Sequence, residues 1–310
     1  MADKKRYTKP ALTFEQQLDK LLKRGIQVER EPEALQTLSQ VSYYRLSAYW
    51  YPFRKRDEDG CVLSNVVQGT NFNQILDLYN FDRKLRLCVL DGLERVEVLI
   101  RTKLSYHIGH RYKAFGHLDP SNFHEKFNHS EWLRRVTASV VESSDEFLKH
   151  FERNYQGFPN VPIWMLTEVM SMGALSRLFK GLKNEKKSGY EDKQQIANAF
   201  GMHYKQLQDW LHVLTYVRNV CAHHSRLWNR ELAIRPERIR NANWLPPKTP
   251  RNDRVFIIIL MMHQMLKCQP DAAEWKLSIE TLLLQASESE ILRAGMGLPM
   301  DWKSHPLWQA

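Results

Sequence analysis

The sequence is poor in the features that mark several large protein classes. Its four cysteines (Cys61, Cys88, Cys221 and Cys268) are scattered through 310 residues with no CxxC pair. That excludes a disulfide scaffold and predicts reduced, mostly buried thiols in a cytoplasmic protein. With 13 Gly and 13 Pro the chain is neither collagen-like nor of low complexity. No apolar run approaches the ~20 residues of a membrane span. The best candidate, 255–262, reads as a buried helix segment. The start, Met1-Ala2-Asp3-Lys4-Lys5-Arg6-Tyr7, is charged with no apolar stretch behind it, so neither a secretion signal nor a membrane partner is expected. Acidic residues are also in deficit. Asp and Glu number 35 against 45 Lys and Arg, a formal net charge of +10 that suits a polyanionic partner.

What the chain does have is a 43% hydrophobic content, enough for a substantial core, arranged mostly with helical periodicity. Thr13 reads as an N-cap, with Gln16 completing a capping box and Gly25 as the stop. A second helix is predicted from near Pro32 through Leu46 into Tyr49-Trp50-Tyr51-Pro52-Phe53. A charged loop (54–60) and a short strand or hairpin (61–70) precede a long helix over 72–110, in which Gly92 marks a bend or a close contact. Further helices are predicted over 131–153, 163–179, 193–200 and 205–230. A polar loop covers 183–193, a Pro-rich linker 245–250, and two closing helices 252–267 and 272–286. No repeat of fixed period is present. The fold class is all-α: an N-terminal helical extension over 1–70 and a helical domain over 71–310, or one continuous domain.

The segment from Trp210 to Arg230 carries the chemistry. Trp210, Val213, Val217, Val220, His224 and Leu227 follow one helical stripe and read as the packed face. His212, Tyr216, Asn219, His223 and Arg226 follow the opposite one. Arg218 lies roughly 140° around the axis from His223, at 100° per residue. A solvated helix face is the plain reading of such a stripe. Here, however, the residues are not Glu and Lys but His, Tyr, Asn and Arg, the types used for proton transfer and phosphate recognition. His223 suits chemistry, and His224 suits packing. A zinc set of Cys221, His223 and His224 is disfavoured because neighbouring helical side chains diverge by about 100°. On a second helix, Glu94, Glu97 and Arg101 share a face, either as an exposed charged ladder or as the second side of the site, where a carboxylate would position Arg218 or His223.

Arg218-Asn219-Val220-Cys221-Ala222-His223 fits the R-x4-H motif of the HEPN ribonuclease superfamily. The string continuing through Arg226 to Arg230 resembles the Abi-like family of abortive-infection proteins, of the AbiD and AbiF type. Tyr43-Tyr44-Arg45-Leu46-Ser47-Ala48-Tyr49-Trp50-Tyr51-Pro52-Phe53 resembles the family's N-terminal signature. So do Phe81-Asp82-Arg83-Lys84-Leu85-Arg86, Glu94-Arg95-Val96-Glu97 with Arg101, and the closing Met296-Gly297-Leu298-Pro299-Met300-Asp301-Trp302.

The resemblance implies a HEPN-like helical bundle with no cofactor. It also implies metal-independent RNA cleavage, a role in phage defence or in a toxin–antitoxin pair, and a homodimer. Under it Arg218, Asn219 and His223 are the catalytic candidates. Glu94, Glu97, Arg101, Tyr216, His224 and Arg226 support them, and Arg45, Arg83, Arg86 and Arg230 contact RNA. The competing reading is a non-catalytic protein that holds a structured RNA in the same basic cleft. A nucleotide-dependent regulator is weaker, since nothing resembles a P-loop.

Overall fold

Thr13 opens the first helix, α1 (Phe14–Lys23), through the expected capping box. Its hydroxyl accepts from the Gln16 N–H while its own N–H donates to the Gln16 side chain. Gly25, at φ 88°, turns the chain beyond it. The structure is a computed structural model that describes residues 6–184, 191–237, 239, 241–244 and 251–309, and α-helix dominates it. No described helix is long and apolar enough to cross a membrane.

The predicted second helix is in fact two, α2 (Glu31–Gln40) and α3 (Tyr43–Trp50). Val41 is extended, and Ser42 starts α3 by accepting from the Arg45 N–H. The charged loop supplies a strand, β1 (Arg54–Arg56), which pairs antiparallel with β2 (Val62–Val66). The long helix follows as α4 (Phe72–Tyr112).

The chain forms two compact units, Met1–Lys84 and Leu85–Ala310. The division falls inside α4, beyond the 1–70 extension read from the sequence. In the first unit Leu18, Leu21, Leu38, Leu46 and Trp50 are buried. Tyr49 donates its hydroxyl hydrogen to the fully buried Asp82 at 2.5 Å. That bond joins the two N-terminal stretches that carry the resemblance.

The second unit takes the rest of α4 and the helices α5 (His129–Glu142), α6 (Glu146–Asn154), α7 (Ile163–Val169), α8 (Met172–Gly181), α9 (Asp192–Asn198), α10 (Tyr204–Ala222), α11 (Val255–Leu266), α12 (Ala272–Ser287), α13 (Glu290–Met296) and α14 (Pro306–Gln309). Two predicted continuous helices are thus broken, at 143–145 and 170–171. Ser171 caps α8 by accepting from the Ala174 N–H, and Asp145 precedes α6. The chain also does not close on α12, since α13 and α14 follow. The predicted linker 245–250 and residues 185–190 of the polar loop lie outside the described residues.

Helix α11 is buried from Val255 through His263, as its continuous apolar run predicts. Gly92 marks a close contact. A Cβ there would come within 2.5 Å of the Trp275 indole, whose Nε1 donates to the Cys88 carbonyl. At the other end of α4, the fully buried Asp192 of α9 accepts from Tyr112 at 2.7 Å and pairs with His107 at 2.6 Å and Arg111 at 3.0 Å. The cysteines correct the sequence reading. Only Cys221 is buried, whereas Cys61 and Cys268 are exposed and Cys88 is half-buried. Burial, with the charge of Asp91, pushes the Cys88 thiol up to about 11, so it stays protonated and unreactive.

Candidate active site

Helix α10 carries the R-x4-H segment, and it ends earlier than the sequence pattern suggests. It stops at Ala222, so His223 is its C-cap, at φ −85° and ψ 13°. His224 then adopts the left-handed conformation at φ 54°. The His224 N–H donates to the Cys221 carbonyl at 2.9 Å and the Ser225 N–H to the Val220 carbonyl at 3.0 Å. This is a Schellman closure, with a histidine where glycine is usual. The expected placement of His224 on the packed face is therefore overturned: it is exposed. The apolar stripe stops at Val220, and Leu227 and Trp228 are buried beyond the helix end. Cys221 is buried while His223 and His224 are exposed.

The polar stripe holds its predicted place as far as the helix runs, and Arg226 falls in the turn beyond it. His212, Asn219 and His223 are exposed. Tyr216 is half-buried, its hydroxyl accepting from the Ala233 N–H at 3.4 Å. The His223 imidazole makes no hydrogen bond among the described residues and is open to a ligand.

Arg218 turns toward α4. Its Nε lies 3.8 Å from Glu97 Oε2, and its Nη1 donates to Asn219 Oδ1 at 3.4 Å. The other oxygen of Glu97 holds Arg101 Nη2 at 3.1 Å. Arg101 also donates to the Met170 carbonyl at 3.0 Å and reaches Glu168 at 3.5 Å. The four side chains Arg218, Glu97, Arg101 and Glu168 thus form a chain of alternating charge linking α10, α4 and α7. Its middle is sheltered and its ends are open, with Glu97 15% and Arg218 37% exposed. The Arg101 Nε is buried with no hydrogen-bond partner among the described residues. An open cleft of about 540 Å³ lies against this chain, lined by Glu94, Glu97, Val98, Arg101 and Arg218.

The remaining candidates divide. Arg226 and Arg230 are half-buried in the turn after α10, where Arg230 Nε donates to the Arg226 carbonyl. Arg45 and Arg83 are exposed in the first unit. Arg86 is only 5% exposed, which leaves it no open surface for an RNA strand. Sequence reasoning missed Glu168 and the Met170 carbonyl. They meet Arg101 across a long separation in the chain, and nothing local to α7 marks them.

The family described as Abi-like protein matches residues 36–229, a span that holds both halves of the charge chain and the whole R-x4-H segment. No curated protein and no solved structure matches the chain. A match over well more than half of the sequence, including its most distinctive helix, establishes that the chain belongs to the family of Abi-like proteins.

Proposed function

We propose that this protein is a metal-independent endoribonuclease acting in phage defence by abortive infection or as the toxin of a toxin–antitoxin pair. The observation that supports this most is the arrangement around Glu97. It ties Arg218 beside the cleft and leaves Asn219 and His223 exposed on the last turns of the same helix. RNA supplies its own nucleophile. A base takes the proton of a 2′-OH, that oxygen attacks the adjacent phosphorus, and the 5′-oxygen leaves with a proton from an acid. The products are a 2′,3′-cyclic phosphate and a 5′-OH end. His223 acts as the acid or base, the role imidazoles fill most often in enzymes. Arg218 meets the charge that builds on the phosphoryl oxygens, and its planar fork suits two of them at once. Asn219 orients the phosphate or the imidazole.

One imidazole does not readily serve as acid and base in a single step. We therefore propose a homodimer in which two copies of the R-x4-H segment share one cleft. The exposed side chains Val98 and Tyr106 on α4, with Trp164 beside Gly109, offer apolar surface for such an interface. A fully active monomer would overturn the dimer.

The test is RNA cleavage in EDTA by wild type and His223→Ala, with end-group analysis of the products. The expected result is cleavage by wild type to 2′,3′-cyclic ends, and a loss of about 10²- to 10⁴-fold in the variant. If neither protein cuts but both bind RNA equally, the nuclease reading fails. A protein that holds a structured RNA then takes its place.

A further inference from the structure

A second basic cluster lies toward the start of α10, where α9 packs against it. Lys193, the second residue of α9, is 7% exposed. Its ammonium reaches Gln208 Oε1 of α10 at 3.4 Å, and no carboxylate pairs with it among the described residues. The adjacent Asp192 is already committed to His107, Tyr112 and Arg111. Lys180, in the last turn of α8, is exposed and also has no ion-pair partner among the described residues. His124 joins them, its Nε2 3.1 Å from the Lys180 carbonyl.

Lys193 feels the charge of Lys180, and His124 feels that of both lysines. Burial, and then the charge of Lys180, pushes the Lys193 ammonium down to about 8. Burial and the two lysines lower His124, opposed by the Lys180 carbonyl and by the neighbouring Glu125. A buried ammonium without a counterion costs free energy that a bound anion removes.

The position of the cluster says which anion. Gly173 of α8 packs against Thr215 of α10, while just beyond the last turn of α8 Asn184 accepts from the Gln194 N–H and Gln194 in turn accepts from the Tyr204 N–H at the start of α10, so the two helices run side by side in opposite directions. Arg177, also exposed, stands on α8 between these two ends. Gln208 and Asn219 are three turns apart, about 16 Å along α10 but only ~20° apart around its axis. The cluster therefore shares a side of α10 with Asn219, at a separation spanned by a few nucleotides.

We propose that Lys193, Lys180 and His124 form a second phosphate subsite, which takes a backbone phosphate of the bound RNA a few nucleotides from the group held near Asn219 and His223. This rests on the reading of the protein as one that acts on RNA.

The test uses full-length protein carrying His223→Ala, so that binding is read without cleavage, and a labelled single-stranded RNA of about 20 nucleotides across a salt series. Adding Lys180→Glu should weaken binding about tenfold and lower the log–log salt slope by about 0.7 for each phosphate that is no longer neutralised. Lys193→Met should act in the same direction. Because Lys180 is exposed, its variant decides the matter even if Lys193→Met fails to fold. Lys149→Glu, exposed on α6, controls for the change in net charge. If Lys180→Glu behaves like Lys149→Glu while the parent protein binds RNA, the subsite is wrong and the RNA reading stands. If the parent protein binds no RNA, both fall.

Discussion

Glu97 is the residue on which the candidate site turns. One carboxylate oxygen faces Arg101 and the other faces Arg218, so its charge decides where both guanidinium groups rest. The Arg218 contact, at 3.8 Å, is loose and open on the arginine side, so it contributes little stability. In the proposed mechanism its value is positional: a reacting group displaced by about 1 Å can cost about 10² in rate. Glu97→Gln keeps the shape and removes the charge. The expected outcome is a kcat lower by about 10²-fold with KM changed by less than about threefold, the signature of an interaction used in the transition state rather than in binding. Glu97→Asp should recover part of the loss. If instead kcat, KM and melting temperature all collapse together, Glu97 is structural and the positioning role is wrong.

At the scale of elements, the end of α10 is the feature that matters most and the one least visible in the sequence. His224 stands at φ 54°, where a Cβ is unfavourable and glycine is at ease. His224→Gly should therefore stabilise the fold by about 1 kcal/mol, a rise in melting temperature on the order of 2 °C. It should also lower RNA cleavage if the imidazole takes part in the proposed reaction. Thermal melting alongside the cleavage assay separates the two effects, and a lower melting temperature would mean that the interactions of the His224 ring outweigh the backbone strain. The contrast with other elements shows what was legible. Thr13 with Gln16, and the unbroken apolar run of α11, were readable because capping and burial follow from local chemistry. The breaks at Ser42, Asp145 and Ser171 were marked by residues that favour N-caps, but the apolar periodicity running across them argued for continuity. The stop at Ala222 had no glycine or proline to announce it. The polar face of α10 and the shared face of Glu94, Glu97 and Arg101 were legible from spacing alone. A carboxylate of that face as partner for Arg218 was one of two readings the sequence offered; that Glu97 is the one that takes it, and that Arg101 meets Glu168 and Met170, depends on how distant segments pack.

At the scale of the whole molecule, two buried histidines tie stability to pH. His117 and His263 are 1% and 4% exposed. Burial first, then the charge of His129 for one and of Lys276 for the other, pushes each down to about 4 from an ordinary 6.5. Both are neutral in the folded chain at pH values where the unfolded chain has already bound the proton. The unfolded state then holds more protons, so stability falls as pH drops from 6.5 toward 4, by about 1.4 kcal/mol per pH unit for each histidine. Asp192 acts lower still. Burial alone would raise its carboxyl, but hydrogen bonds from His107 and Tyr112, with the charges of His107 and Arg111, leave it below the ordinary 3.8. Its contribution is lost only as pH falls past that value. Between pH 6.5 and 4 the slope therefore belongs to the two histidines rather than to this carboxylate. His263 Nε2 donates to the Trp308 carbonyl at 3.1 Å, a bond that a glutamine amide can reproduce without titrating. Urea unfolding of wild type and His263→Gln from neutral pH to pH 4.5 should give curves that converge on acidification, with the variant losing stability about half as steeply. Parallel curves would show that His263 does not set the acid limb and that the load lies elsewhere in a chain whose net positive charge is already large.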